Sequence, residues 1–503
     1  MPIDLGKVYL IGAGPGDPGL ITLRGADCLR EADVVLYDYL AGPELLGSTR
    51  PDAELVCLGR HGHGRLMPQA EINERLIREA RAGRSVVRLK GGDPAIFARL
   101  AEELAALEAA GVPYEVVPGV TAAQAASSHA GIPLTNRDDA SCVAFVAGQE
   151  RFDKSSDEEL DYAALATFPG TLVFYMGLTT APRWSQALIA HGKSAYTPVA
   201  IVRRCTFADQ QTIFATLGGV EEHLGPGKLR PPAVVIVGAV ARARSLDNWF
   251  TSRPLFGQTV LVTRPSHQID AMFGQLSALG ADVLYQAAIE ISEPADWGPA
   301  DAAIDELAKF NWLVFSSSNG VDFFLRRLLM RGLDLRAIGN CQLAAIGPAT
   351  VEALARYHLQ ADVCPDAYCA EALAEALAPQ AKGKSFFLAR ASRGREVLAE
   401  MLTAAGGKVR QAVVYESRDV TTPNPEVLEA LDAGKIDWTT VTSSAIARSL
   451  VNLFGDALKH TKLVAISPVT AGVLAELGHP ATAVAETYTG EGILNAILAT
   501  NPE

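Results

Sequence analysis

Short apolar runs that break off into glycine, proline or hydroxyl-rich turns recur along this chain. Val8–Ile11 empties into Gly12-Ala-Gly-Pro-Gly-Asp-Pro18, with glycines at alternate positions. Val86-Val-Arg-Leu-Lys90 runs into Gly91-Gly92-Asp93-Pro94, and Val116-Val117 into Pro118-Gly119-Val120-Thr121-Ala122-Ala123. Each reads as a short strand feeding a turn, with helical stretches such as 71–82 between them, an α/β pattern. The spacing predicts a further strand over Val34–Tyr37 and one ending in Thr171-Leu-Val-Phe-Tyr-Met-Gly177. The loop after Val8–Ile11 is a ligand site or a very tight turn, since glycines at alternate positions let another group approach the backbone closely.

Two familiar glycine loops fail there. Asp17 stands where a dinucleotide fingerprint needs its third glycine, and the Gly-Lys-Ser/Thr of a phosphate-cradling loop is missing. A proline-stiffened loop carrying a carboxylate suits a neutral or cationic ligand, and S-adenosylmethionine fits that description.

The pattern changes near residue 250. Pro231-Pro-Ala-Val-Val-Ile-Val-Gly238 reads as the last strand of a first unit, residues 251–256 as a short join, and Gly257-Gln-Thr-Val-Leu-Val-Thr-Arg-Pro265 as the start of a second. The second half repeats itself. Asn311-Trp-Leu-Val-Phe-Ser-Ser-Ser318 is echoed by Asp437-Trp-Thr-Thr-Val-Thr-Ser-Ser444, and Ala345-Ile-Gly-Pro-Ala-Thr350 by Ala465-Ile-Ser-Pro-Val-Thr470. Two similar α/β lobes follow from this. Each hydroxyl taken alone reads as a helix cap; the duplicated set reads as a cleft for a polycarboxylate, because hydroxyls and free N–H groups at helix N-termini suit anions.

Length and composition set outer bounds. A chain of 503 residues with 49% hydrophobic content holds two to four domains. No apolar stretch reaches membrane-spanning length and no signal segment precedes the first strand, so a soluble cytoplasmic protein is expected. The formal charge of −13 argues against a nucleic-acid partner. Seven scattered cysteines without a Cys-x-x-Cys pair read as reduced thiols. Neither Cys364 with Cys369 nor His61 with His63 has the second pair that a metal site needs, so no metal is expected.

Taken in order, the motifs of residues 5–250 resemble the uroporphyrinogen-III C-methyltransferase family of the tetrapyrrole methylase fold. The resemblance implies a fold of two subdomains that binds S-adenosylmethionine, releases S-adenosylhomocysteine, and methylates uroporphyrinogen III twice, at C2 and C7, to precorrin-2. Asp38 matches the family's base. Arg60 stands where the family has its acid lysine, and being permanently charged it suits carboxylate binding better than proton donation. Contacts to S-adenosylmethionine carry over to Pro15, Gly91, Gly92, Asp93, Ile96, Thr121, Ala122, Met176 and Ala200, with Asp93 matched to the ribose or ammonium group. Arg99, Glu102 and Arg137 match positions near the tetrapyrrole. Departures from the family occur at Leu100 and Ala101 (usually glycines), at Tyr39 (usually arginine) and at Cys205 (usually glycine, in the adenine pocket).

In the second half, Val260-Leu-Val-Thr-Arg-Pro265, Ser317-Ser-Asn-Gly320, Ile346-Gly-Pro-Ala-Thr350, Val414-Tyr-Glu-Ser417 and Thr442-Ser-Ser444 resemble uroporphyrinogen-III synthase. That family cyclises hydroxymethylbilane to uroporphyrinogen III in a two-lobed α/β fold. The resemblance implies lobe 1 over about 257–290 plus 415–503 and lobe 2 over about 291–414, with hinges near 289–292 and 414–415. Tyr415 matches the functional tyrosine. Ser317, Ser318, Thr350, Ser443, Ser444 and Thr470 are the candidate substrate contacts, while Ser467 and Ala389 replace a family glycine and proline. The resulting expectation is a bifunctional enzyme over 1–250 and 257–503, dimeric through its methylase half. The alternatives are a methylase carrying a non-catalytic tetrapyrrole-binding module, or a methylase for a later corrin intermediate. The run Met67-Pro-Gln69 speaks against the last of these.

Overall fold

The computed structural model describes residues 5–59, 66–149, 160–242, 248–265 and 270–500. The chain divides into two compact units, Met1–Gln258 with Leu279–Asp282, and Thr259–Ala278 with Val283–Glu503.

The first unit contains two sheets. β1 (Val8–Gly12), β2 (Val34–Tyr37), β3 (Glu54–Cys57), β4 (Val86–Lys90) and β5 (Tyr114–Val117) form a parallel sheet in the order β3-β2-β4-β1-β5. β4 sits at its centre and is buried along its whole length. The second sheet is mixed. β6 (Val143–Ala147) and β7 (Thr171–Tyr175) are parallel, whereas β8 (Pro198–Arg203), β9 (Gln211–Thr216) and β10 (Ala233–Val237) add antiparallel pairs, in the order β6-β7-β10-β8-β9. Each sheet has its own core, one around Val8, Leu36, Leu76 and Val86, the other around Phe174, Trp184, Leu188 and Val235.

In the second unit, β11 (Thr259–Val262), β12 (Asp282–Tyr285), β18 (Trp438–Val441), β19 (Lys462–Ala465) and β20 (Ala483–Val484) form one sheet, ordered β12-β11-β18-β19-β20. β13 (Ile289–Ser292), β14 (Trp312–Phe315), β15 (Gln342–Ala345), β16 (Ser385–Ala391) and β17 (Lys408–Asp419) form the other, ordered β13-β17-β16-β14-β15. The repeat read from the sequence corresponds to β14–β15 and β18–β19. Trp312 and Trp438 are equivalent and fully buried. Asn311 and Asp437, just before them, use a side-chain oxygen to accept the N–H of Ser385 and Thr259, which starts each neighbouring strand in register. The segment 289–292, read as one hinge, pairs antiparallel with the residues that directly follow the other at 414–415, from Ile289↔Asp419 to Ser292↔Glu416.

The stretch read as a join, together with Trp249 and Phe250 just before it, is packed onto the first unit. Phe250 is buried, its ring meets the buried His129 edge-on at 4.6 Å, and the Trp249 indole N–H donates to the Ser128 carbonyl at 2.9 Å.

Candidate active sites

The alternating glycines after β1 meet other glycines. A Cβ on Gly12 would lie 2.6 Å from the Gly119 Cα, and one on Gly119 would lie 2.3 Å from the Gly92 carbonyl oxygen. Gly14 and Gly92 exchange N–H···O bonds of 3.2 and 2.7 Å. Three loops at the C-terminal ends of β1, β4 and β5 therefore pack backbone to backbone, and any side chain there would separate them. The carboxylate of Asp17 does not face a ligand: it accepts the Gly19 N–H at 2.7 Å and caps its own turn. From this loop, Pro15 is what reaches the cleft beside it.

That cleft has a volume of about 790 Å³. Pro15, Asp38, Gly91, Gly92, Asp93, Ile96, Arg99, Thr121, Ala122 and Met176 all line it, so ten residues picked from separated motifs converge. Gly91 has no room for a side chain, since its Cβ would lie 2.8 Å from that of Leu40. Gly92 is different. With φ +73°, its missing Cβ would meet nothing nearer than the Ala122 nitrogen at 3.9 Å, which leaves a bare cradle above the start of helix Ala122–Ala130. The Tyr175 hydroxyl accepts the Ala123 N–H at 2.9 Å and shares a 2.7 Å hydrogen bond with Thr121; burial raises this phenol above its ordinary pKa. Asp93 spends one oxygen on the Ala95 N–H and the other on that of Gly119, and each oxygen retains a lone pair for a ligand.

Backbone strain concentrates here. Phe97, Arg99, Met176 and Arg204 are non-glycine residues with φ of 52°, 57°, 54° and 47°, and all four line the cleft. Conformations that cost of order 1 kcal/mol or more each are retained where surrounding structure enforces a particular wall. Arg99 immediately precedes helix Leu100–Ala109, which begins at the two positions where the family has glycines.

Beneath the cleft lies a buried charge network with no counterpart in the sequence reading. The Arg88 Nη2 donates to Asp38 Oδ1 at 2.8 Å, its Nε donates to Glu103 at 3.3 Å, and Lys90 Nζ donates to the other Glu103 oxygen at 2.6 Å. Gln69 adds a fourth contact, donating to Glu103 at 3.2 Å. Burial pushes the Lys90 ammonium below its usual pKa. Charges at alternate positions of the apolar run Val86–Lys90 were the available signal, because alternate residues share one sheet face.

Several expected contacts fall elsewhere. Ala200 is buried within β8, its backbone engaged between β10 and β9. Glu102 is half-exposed and pairs with Arg99 at 2.6 Å, and Arg137 is exposed on the turn between Asn136 and Ala140; neither lines the cleft. Arg60, His61 and His63 lie outside the described residues. Cys205 forms part of the cleft wall, its thiol pushed by burial up to about 12.

In the second unit, the Tyr415 hydroxyl lies 3.0 Å from Ser317 Oγ, and burial raises this phenol too. Tyr415 borders a cavity of about 230 Å³ shared with Ser316, Arg390, Arg393, Arg395 and Gln411. The Ser317 hydroxyl also caps helix Ser318–Met330, accepting the Gly320 N–H at 3.0 Å. Ser443 caps helix Ser444–Phe454 in the same way, so the cap reading accounts for both serines. Ser318 and Ser444 are the first, half-buried residues of those helices. Thr350 and Thr470 are buried at 3% and 2% exposure and present no hydroxyl to a ligand. The sequence reading also missed an extension of the repeat. Tyr368-Cys-Ala-Glu371 and Tyr488-Thr-Gly-Glu491 occupy matching places before helices Ala370–Leu377 and Gly490–Thr500, and the two rings meet edge-on at 6.2 Å.

Among the described residues, no group of three or more His, Cys, Asp or Glu side chains has metal-site geometry, and no helix is long and apolar enough to cross a membrane.

Residues 7–221 match the tetrapyrrole (corrin/porphyrin) methylases, and residues 270–495 match uroporphyrinogen-III synthase HemD. The porphyrin biosynthesis protein HemD of Ruminiclostridium josui is 31% identical over 471 residues, which cover 93% of this chain and 92% of that protein. A uroporphyrinogen-III C-methyltransferase of Bacillus subtilis (strain 168) is 36% identical over 366 residues, covering 72% of this chain and 74% of that protein. A siroheme synthase of Yersinia enterocolitica is 46% identical over 257 residues, 51% of this chain, and this chain spans about half of that protein's length (53%). A uroporphyrin-III C-methyltransferase from Thermus thermophilus, solved in complex with S-adenosyl homocysteine, is 39% identical over 47% of this chain and 99% of its own, with a TM-score of 0.41. With both families matched in succession and a relative that spans both units, the chain belongs to the two-part tetrapyrrole-biosynthesis proteins that join a tetrapyrrole methylase to a uroporphyrinogen-III synthase.

Proposed function

We propose that the second unit cyclises hydroxymethylbilane to uroporphyrinogen III and that the first methylates this product twice, at C2 and C7, giving precorrin-2. The observation that carries the reading is the relative that runs the length of both units, with a methylase and a synthase matched on one chain.

The glycine-walled cleft suits S-adenosylmethionine. The bare cradle at Gly92, the free lone pairs of Asp93 and the apolar wall of Ile96 and Met176 fit a ligand with one polar and one apolar part. When bound, S-adenosylmethionine supplies an electrophilic methyl group. The chain supplies alignment and a base. Asp38 stands at the end of β2 with its carboxylate fixed by Arg88, and in this reading it takes the proton that the macrocycle releases once the pyrrole carbon has taken the methyl group; that carbon, already substituted, becomes quaternary and holds no proton itself. Arg99, on the cleft wall, takes a substrate carboxylate.

In the synthase unit the Tyr415 phenol stays protonated through neutral pH. It donates toward the departing hydroxyl of the bilane while Ser317 holds its orientation. Cyclisation of the wrong isomer is avoided by holding the chain of pyrroles in one geometry. A division near residues 251–256, a homodimer through the first unit and a cytoplasmic location belong to the same proposal.

The test supplies the full-length protein with freshly generated hydroxymethylbilane under anaerobic conditions, with and without S-adenosylmethionine. Type III uroporphyrinogen without it and a doubly methylated product with it are expected. The spontaneous type I isomer alone would reduce the second unit to a binding module.

A further inference from the structure

Glu103 occupies a place that packing alone does not explain. It lies in the first turns of helix Leu100–Ala109 with 0% exposure, in contact with the central strand of the parallel sheet. A carboxylate taken fully out of water is retained only if it is paired and hydrogen-bonded. Its partners are Lys90 at 2.6 Å, Arg88 at 3.3 Å and Gln69 at 3.2 Å, and Lys90 and Arg88 are themselves only 2% and 4% exposed. The second arm of the same Arg88 guanidinium reaches Asp38 at the cleft. Two carboxylates and two cations thus form one chain, Lys90–Glu103–Arg88–Asp38, of which Asp38 is the half-exposed end.

We propose that Glu103 is the positioning residue of the methyl-transfer site: it anchors Arg88 in the orientation that aims Asp38 into the cleft, and its charge offsets that of Lys90 so that Arg88 dominates over Lys90 at Asp38. The inference rests on the reading of Asp38 as the base. Lys90 and Arg88 project from the same face of β4, so without a carboxylate between them both cations would draw on Asp38. The other groups around Asp38 are Tyr39 beside it, Asp93 and Arg99 on the neighbouring loop, and Gln69 at the start of helix Gln69–Arg81. Asp93 already accepts two backbone N–H groups and Arg99 is itself a cation, so Glu103, paired with Lys90 at 2.6 Å, is the carboxylate placed to balance it.

The direction of each effect follows from charge. Glu103→Gln keeps the shape of the side chain and leaves two cations facing one carboxylate, which makes Asp38 a weaker base. Methylation kcat is expected to fall about tenfold and the acid limb of kcat/KM to move to lower pH. KM for S-adenosylmethionine stays unchanged, because Glu103 does not line the cleft. Lys90→Met leaves Glu103 wholly to Arg88, loosens the hold on Asp38 and moves the acid limb to higher pH. A merely structural Glu103 would lower the folded fraction and leave both limbs in place.

The experiment measures methylation against pH for the full-length protein and for Glu103→Gln, Lys90→Met, the double variant and Asp38→Asn, each with its thermal melt. Opposite shifts in the two single variants and a restored limb in the double variant are expected. An unmoved limb in either folded single variant overturns the proposal. If Glu103→Gln does not fold, Lys90→Met and the double variant decide it, since a shared, unshifted limb overturns it equally. If Asp38→Asn retains methylation, the base assignment falls; if Asp38→Asn is inactive and the limbs do not move, the role of Glu103 alone falls.

Discussion

Asp38 and Tyr415 sit in opposite surroundings. Asp38 is oriented by the Arg88 guanidinium at 2.8 Å, whereas Tyr415 is kept neutral by burial, 3.0 Å from a serine hydroxyl. Replacing Asp38 with asparagine preserves the hydrogen bond from Arg88 and removes the base. Methylation is then expected to fall by roughly 10²–10⁴ with type III cyclisation intact, as product analysis on a single preparation would show. For Tyr415 the sign reverses. With its pKa raised above the ordinary value, the phenol is protonated at every pH below about 10, so synthase activity should show no acid or neutral limb from this group. Tyr415→Phe should lower synthase turnover about tenfold without moving the pH profile in that range, and an unchanged rate would remove the tyrosine from the mechanism. Both residues entered through the family resemblance, each matching a functional position at the end of an apolar run, and the run alone would not have singled out either. Arg88, Lys90 and Glu103 were only half legible. Alternate charges in Val86–Lys90 signal a polar patch on one sheet face, but the carboxylate that makes the patch tolerable lies on the following helix and becomes a neighbour only when helix and strand pack.

Strands and the loops they empty into were the most legible elements, since Gly and Pro punctuate each apolar run. What the glycines serve was not legible. The three-loop contact of Gly12, Gly92 and Gly119 involves residues from three distant segments, and the glycine pattern of any one is equally a ligand site or a tight turn. The structure separates two kinds of glycine, and substitution should separate them too. Gly119→Ala places a Cβ 2.3 Å from a backbone oxygen that cannot swing away, so it should destabilise the first unit by about 3 kcal/mol. Gly92→Ala meets no protein atom within 3.9 Å and pays only for its positive φ, about 1–2 kcal/mol. Its Cβ fills the cradle, however, so calorimetry should find S-adenosylmethionine affinity reduced at least tenfold in a protein that still melts cooperatively. Equal losses of stability in both variants would refute this division. Hydroxyl turns behave differently: Ser443→Ala should cost about 1 kcal/mol through loss of the cap, whatever else the residue does.

At the scale of the molecule, residues 249–256 show where reading by composition stops. A short segment with a proline, between two strand-rich halves, reads as a join, yet its apolar side chains find a site on the first unit. Phe250 and Leu255 are buried, the Arg253 guanidinium lies 3.9 Å from the Phe250 ring centroid, and Trp249 and Phe250 both cover His129. Burying a phenylalanine contributes about 2 kcal/mol, so a fragment ending at Arg242 should melt several degrees below one ending at Gln258. The histidine beneath supplies an independent test. Burial lowers the His129 pKa below 6.5, against the opposing effect of its bond to the Ala125 carbonyl. The unfolded chain therefore binds a proton below about pH 6.5 that the folded unit refuses. The stability contributed by the neutral ring is present in full above that pH, and it is lost as pH falls from there through the lower pKa of the folded state. In the longer fragment, melting temperature should fall with pH over this window, and His129→Gln should flatten the slope. In the shorter fragment the ring loses its aromatic cover and its burial, so the slope should already be shallow. Identical slopes in the two fragments would mean that residues 249–256 do not shield His129, and the segment would revert to a simple join.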